Sequence, residues 1–478
     1  MFLVLFTVIL LWLFYEMYWK RRNFPSGPTP LPLIGNIHQF FWHQPGYKFF
    51  ENNKKQFNPI YTWWLGPFPI VTFCDIDLMK DTFVKDGDSY TDKFYFKGMN
   101  EAFRGDRWRD HRRFALHQMR DLGLGKMKME QRILHEVDEL TSRFTELGTV
   151  EIQTELQTAI ANVINQMMFG YRFEGARKME FDELMELLDK QQTSGQGVLF
   201  ILLIFSWTRN LPYFKSHWNE FMVFRDKFFG FFEKQIEQHK NEFDYDAEDS
   251  TDYVEAYLKE KRKREAEGDF ESFCDLQLKN MCFDLWAAGL NTTTSTLQWG
   301  IVYLLNYPHV QGKMHEEMDR VIGSSRHITM NDKPNLPYTS AVIMEVQRAA
   351  NLAPTNLPHC TTRDVEVAGH FLPKGTTVTA DIGVYLYDQK LFPDPQKFDP
   401  ERFLDNGKVK LYPEVMPFSL GKRACPGEGF AKMELYLIIA NLVHRFKMSA
   451  KNLPSLKKTF KNIQRPDTQI DVEMEYRF

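Results

Sequence analysis

The apolar positions fall into three kinds of pattern. From Met1 to Trp19 the only non-apolar residues are Thr7 and Glu16. As a helix rising ~1.5 Å per residue, this run covers roughly 28 Å, close to the ~30 Å hydrocarbon core of a bilayer. Lys20, Arg21 and Arg22 follow at once. A cleaved signal would carry its charge before the apolar run and a small-residue site after it, so the order here predicts a signal anchor over 1–22. The positive-inside rule then puts the amino terminus across the membrane and the rest of the chain in the cytosol. Residues 23–36 read as a hinge, because Pro25-Ser-Gly-Pro-Thr-Pro-Leu-Pro32 forbids helix continuation.

Residues 37–478 read as one catalytic domain without internal repeats. Between about Lys126 and Ala350 apolar residues recur at helical spacing: Leu276, Cys282, Phe283 and Leu285 show it, with Lys279 as the polar exception. A strong helix is expected from about Phe273 to Leu305 and an amphipathic one from Gly427 to about Val443. Strand-like runs with turn signals lie near Ile60–Phe73 and Val365–Ala380. The charged stretch Asn241–Phe273 mixes both signs and reads as a solvated helix and loop. Val198–Phe205 is continuously apolar but too short to span, which leaves a core segment or a surface patch dipping into a bilayer. The fold class expected is mainly α with a minor β-sheet.

Composition narrows the function. The 478 residues carry 59 Lys+Arg against 63 Asp+Glu, a net charge of −4, which excludes a dedicated nucleic-acid binder. Hydrophobic residues at 43% and charged ones at 26% fit a folded globular chain. Five cysteines without a CxxC exclude a disulfide scaffold and a zinc ribbon. Forty-two Phe residues can line a large apolar cavity.

Cys425 stands apart from Cys74, Cys274, Cys282 and Cys360, which read as small buried hydrophobes. It lies in Phe418-Ser-Leu-Gly-Lys-Arg-Ala-Cys425-Pro-Gly427, immediately before a predicted helix. A metal-binding thiolate needs its charge stabilised. The helix amino terminus, the Arg423 cation, and tight turns at Gly421 and Gly427 would all contribute.

This Phe-x-x-Gly-x-Arg-x-Cys-x-Gly frame resembles the haem-thiolate signature of the cytochrome P-450 monooxygenases, most closely the animal microsomal enzymes that metabolise drugs, steroids and fatty acids. The resemblance runs over nearly the whole chain. It implies the cytochrome P-450 fold, a single haem domain behind the anchor, haem b as cofactor, and Cys425 as axial iron ligand. A thiolate ligand favours O–O cleavage. By the same resemblance Trp108 and Arg112, in Trp108-Arg-Asp-His-Arg112, contact the haem propionates together with His359 and Arg423, and Phe418 belongs to the cofactor-binding frame. Glu345 and Arg348, three apart on one helix face, match a structural pair completed by Arg402. Arg109, Arg113, Arg120, Lys422 and Lys432 would face an acidic redox partner or simply water.

Ala287-Ala-Gly289-Leu-Asn291-Thr292 resembles the oxygen-side segment of the family. There Gly289 loosens the helix and Thr292 hydrogen-bonds dioxygen and relays protons. Asn291 departs from the usual Asp or Glu: an amide orients water but does not shuttle protons as a carboxylate does. The expected consequence is leakier oxygen activation, with more peroxide per turnover. The segment between Ser89 and Trp108 is shorter than its family counterpart, and Phe94, Phe96, Met99, Phe103, Phe200 and Leu352 are cavity candidates, residues of a kind more often plain core than substrate contact.

The chain has no Gly-x-Gly-x-x-Gly after a strand, so electrons are expected from NADPH through a separate membrane-bound flavoprotein reductase, with a small cytochrome b as a further partner. The expected activity is hydroxylation or epoxidation of a lipophilic small molecule at the endoplasmic reticulum membrane. Two alternatives stand beside it: an oxygen-independent or peroxide-using haem-thiolate enzyme, and a haem or ligand binder without turnover.

Overall fold

A computed structural model describes residues 2–42, 47–94, 105–122, 127–193, 196–242, 244–247, 249–461, 463–466 and 469–478. Phe96, Met99 and Phe103 lie outside the described residues, as does the side chain of Phe200. The helices used below are α1 (Phe2–Met17), α2 (Gly105–Asp121), α3 (Ile152–Phe169), α4 (Gln196–Ile204), α5 (Pro212–Glu242), α6 (Tyr253–Ala266), α7 (Asp275–Asn306), α8 (Pro337–Ala350) and α9 (Glu428–Arg445). Five strands form the largest sheet: β1 (Ile60–Leu65), β2 (Phe68–Phe73), β3 (Asp92–Lys93), β4 (His359–Cys360) and β5 (Thr377–Ala380). Their order is β1-β2-β5-β4-β3, with only β2 and β5 parallel. The mainly helical chain with a small sheet is as expected.

Local chemistry sets the helix ends. The Glu151 carboxylate accepts from the backbone N–H groups of Gln153 and Thr154 at the start of α3, and Gly170 closes that helix at φ +74°. Asp252 caps α6 through the Glu255 amide. Pro337 opens α8, whose first amides at Tyr338 and Thr339 donate to Glu317 at 2.8 Å each.

Packing centres on α7, which runs through the main core against α3 and α9. From Thr293 to Leu305 every residue of α7 is buried, and from Met433 to Arg445 every residue of α9 is buried. The predicted amphipathic run after Gly427 is therefore a core helix, apolar because protein surrounds it. Close approach explains Gly289: a Cβ there would lie 2.8 Å from Ile164 Cδ1 of α3. The helix is unbroken through Gly289, so the visible role of this glycine is to let α3 and α7 touch. The charged 241–273 stretch also differs from its expectation. Tyr253, Val254, Ala256, Tyr257 and Leu258 of α6 are buried, and solvation is confined to the helix's second half.

The 3–21 span is long and apolar enough to cross a membrane and its apolar window is 0% buried; only at its end does it meet the body of the protein, where Lys20 lies 4.7 Å from the centre of the Trp64 ring. The short apolar run after Val198 divides, with Leu202 and Ile204 buried and Ile201 exposed.

Candidate functional site

The Cys425 loop is folded by its own backbone. The Cys425 N–H donates to Phe418 O at 2.9 Å, closing a ring around Gly421, which sits at φ +76°. Only glycine fits there: a Cβ on Gly421 would lie 1.9 Å from Phe83 O. Helix α9 begins at Glu428 with Gly427 as its cap residue, so its free amides start beside the sulfur as expected. The Cys425 side chain is exposed, whereas Cys74, Cys282 and Cys360 are buried and Cys274 is intermediate.

Although the side chain reaches solvent, the protein packed around the sulfur pushes the thiol pKa up; the Gly427 amide pulls it down, Glu428 adds to the rise, and the Arg112 guanidinium opposes it. Arg112, not Arg423, is the cation acting on the thiol: its Nη2 donates to Ala424 O at 2.6 Å. Arg423 instead donates from Nε to Thr91 O at 2.7 Å and lies 3.2 Å from the centre of the Trp108 ring. The aromatic face thus orients Arg423. Trp108, Arg112 and Arg423, drawn from α2 and the Cys425 loop, form one group.

A fourth residue joins them that sequence reasoning missed. Lys93, on β3, donates from Nζ to Leu357 O at 2.9 Å. Burial, together with repulsion from Arg423 and Arg112, pushes its pKa down to about 7. A buried ammonium beside two guanidiniums is unfavourable alone and favourable around an anion. Lone lysines are common, and no spacing marks this one; only the pairing of Lys93 with His359 across β3 and β4 brings it here.

His359 is 2% exposed, with Nδ1 2.6 Å from Tyr90 O and Nε2 3.4 Å from Asn356 Nδ2. Its proton therefore sits on Nδ1, and burial with the nearby Lys93 pushes its pKa down to about 3. The neutral ring fastens β4 to the segment before β3.

On α7, Ala288 and Thr292 are exposed one turn apart, on a helix otherwise largely covered. Thr292 Oγ1 donates to Ala288 O at 2.8 Å, and the Asn291 side chain is half-buried. Glu345 and Arg348 are buried as a bidentate pair at 2.7 and 2.8 Å, with Arg402 Nε 3.3 Å from Glu345 Oε1. Arg348 also donates to Leu386 O and Pro395 O, tying α8 to the long loop before Cys425. The pair is structural, as expected.

The cytochrome P450 family profile matches residues 25–474. The chain belongs to the cytochrome P450 family. Cytochrome P450 2H1 of Gallus gallus is 34% identical to it, covering 90% of this chain and 88% of the relative. Cytochrome P450 2C44 of Mus musculus is 35% identical, covering 89% and 87%, and cytochrome P450 2C23 of Rattus norvegicus is 35% identical, covering 90% and 88%. The cofactor of this P450 is haem b, and its residues fit that group. A thiol stands at a helix amino terminus, and a cluster of Lys93, Arg112 and Arg423 matches a flat ligand bearing two carboxylates. As a P450 it is an oxidoreductase of the monooxygenase class.

Proposed function

We propose that this P450 inserts one oxygen atom into a lipophilic small molecule, such as a xenobiotic, steroid or fatty acid, using NADPH electrons from a separate flavoprotein reductase. The observation that carries this reading is the Cys425 loop, closed on Phe418 and aimed by α9. Cys425 would ligate the iron, Trp108, Arg112 and Arg423 would hold the propionates, and Lys93 would add a fourth donor. His359 would act by holding β3 and β4 rather than by donating, because its N–H is committed to Tyr90. Haem bearing a thiolate ligand supplies oxygen activation. Around it, Thr292 would carry a hydroxyl proton toward the oxygen side, Asn291 would orient water, and Gly289 would keep α7 against α3.

The membrane role rests on apolar residues exposed in the hinge and in the chain after α4. The turn at Gly66 meets Leu33 O, Ile204 and Phe205, joining the hinge to the chain after α4. Trp207 and Tyr213 next to it are 64% and 63% exposed, and Leu31, Leu33 and Ile34 are exposed as well. This face would lie on the endoplasmic reticulum bilayer, with α1 spanning it once and the haem domain in the cytosol. On the exposed cysteine side, Lys422 is ion-paired with Asp88 and Lys432 with Glu428 at 2.6 Å. Such surface pairs are weak and exchangeable, so these lysines can re-pair with acidic groups on a reductase or a small cytochrome b.

The test is the carbon monoxide difference spectrum of the reduced protein in membranes. A strongly red-shifted Soret band that Cys425→His abolishes supports the reading; a Soret band at the position typical of histidine or thiol ligation overturns it. Asn291 favours a second reading, a peroxide-using or oxygen-independent enzyme, and product formation that needs neither NADPH nor reductase would establish that one.

A further inference from the structure

Helix α2 meets the core along a stripe at helical spacing, His111, Ala115 and Met119, all buried. Ala115 and Met119 are apolar. His111, at the head of the stripe and one residue before Arg112, is polar and 3% exposed. An apolar side chain would complete such a stripe, so a buried imidazole there needs a reason.

The reason lies across the helix. His111 Nε2 is 2.8 Å from Ser272 O, in the turn that leads into α7. A carbonyl only accepts, so the ring carries its proton on Nε2. The ring stacks on Phe273 at 4.7 Å and 29°, and on Tyr257 of α6 at 5.8 Å and 15°. That turn is itself fixed, because the Asp269 carboxylate accepts from the amides of Glu271 and Ser272 at 3.2 and 3.0 Å. His111 Nδ1 is buried and has no hydrogen-bond partner among the described residues. A second proton would therefore make a buried N–H with no acceptor. Burial pushes the His111 pKa down; the Ser272 carbonyl opposes this, Arg107 and Arg264 add to the fall, and Asp110 works against it.

Trp108 and Arg112 sit within one turn of His111 on the same helix, and Arg112 reaches Ala424 O beside the sulfur. A shift of this end of α2 carries both away from the Cys425 loop. We propose that His111 is a positioning residue for haem retention: its neutral ring docks the first turns of α2, with Trp108 and Arg112, onto the Ser272–Phe273 turn, and protonation undocks them. The step is proton uptake from solvent alone. An N–H bond forms at Nδ1, the hydrogen bond from Nε2 to Ser272 O is given up, and no electrons move. Because the docked ring binds a proton more weakly than a free one, docking is at full strength above about pH 6.5 and weakens as pH falls below it. The proposal rests on the reading of Trp108 and Arg112 as propionate partners.

Haem transfer from the full-length holoprotein to an acceptor protein, followed between about pH 7.5 and about pH 5.5, tests it. Wild type should lose haem up to about tenfold faster at the acid end, the ratio of protonated to neutral form in a free imidazole there. His111→Gln places an amide N–H where Nε2 donates but takes up no proton. It should match wild type at the neutral end and lack the histidine's share of the rise. His111→Phe keeps the stack without the hydrogen bond, and should lose haem about fivefold faster at the neutral end, as one missing hydrogen bond allows. Lys93, lowered to about 7, titrates in the same range but is common to all three proteins and cancels in the comparison. A purely structural role for the ring predicts no difference in pH profile between wild type and His111→Gln.

Equal pH profiles in wild type and His111→Gln overturn the proposal, as does His111→Phe holding haem like wild type at the neutral end. A wild type whose haem loss does not quicken on acidification overturns it without any variant. Arg112→Met that keeps haem as tightly as wild type overturns the parent reading, and this proposal with it; failure in the His111 variants alone leaves that reading standing.

Discussion

At the scale of single residues, charge and burial decide which groups can do chemistry. Asn291 can orient a water but holds no exchangeable acid proton, so Asn291→Asp should raise product formed per NADPH and lower peroxide, measured by coupled turnover. Burial, with Arg423 and Arg112, lowers Lys93 to about 7, so it is only partly charged at neutral pH, and an anion among the three favours its charged form. Lys93→Met should therefore speed haem loss to an acceptor protein in a transfer assay, with the thiolate spectrum of the remaining holoprotein unchanged. Asp381 titrates the fold itself. It is fully buried and accepts from Tyr61 OH at 2.9 Å, and burial lifts it to about 8. The folded form holds this proton up to about pH 8, while the unfolded chain releases it near pH 3.9, so folding takes up one proton in between. Its contribution is complete below about pH 4 and is lost as pH rises, at about 1.4 kcal/mol per unit across that window. Denaturant titrations of Asp381→Asn against wild type from pH 5 to 8 should show that slope removed.

At the scale of elements, the site depends on turns and seams that tolerate no extra atoms. The loop before Cys425 turns through a left-handed residue pressed against the Phe83 carbonyl. Gly421→Ala meets both the left-handed penalty of about 1–2 kcal/mol and a backbone clash, so the loop must open. The expected outcome is a protein that folds by far-ultraviolet circular dichroism but takes up little haem. Much of this was legible in the sequence: the 273–305 helix appears as Asp275–Asn306, and the strand runs at Ile60–Phe73 and Val365–Ala380 appear where expected. Periodicity marks faces, however, and a helix enclosed on every side has none to show. That is why α9 reads as amphipathic at 427–443 and turns out buried from Met433 onward. For the same reason α6, highly charged in sequence, hides Tyr253 and Tyr257 in its first half.

At the scale of the whole molecule, the haem domain carries an apolar face beside its hinge, so membrane attachment is expected to outlast removal of α1. A 23–478 chain should float with phospholipid vesicles, and replacing Trp207 and Tyr213 by Ser in it should release it to the soluble fraction. Retention of the doubly substituted chain would refute a contact through that face.

The sequence by itself pointed to the family, to Cys425 as the cysteine that stands apart, to the candidate anchor and, by resemblance, to Glu345 and Arg348 as a structural pair, because each is written in residues adjacent along the chain or one helix turn apart. Tertiary structure alone decided that Arg112 rather than Arg423 acts on the thiol, that Lys93 shares its surroundings with Arg112 and Arg423, and that His359 has spent its proton on Tyr90. These residues are hundreds of positions apart, or look ordinary by type, and it is packing that sets which charges share a low-dielectric space.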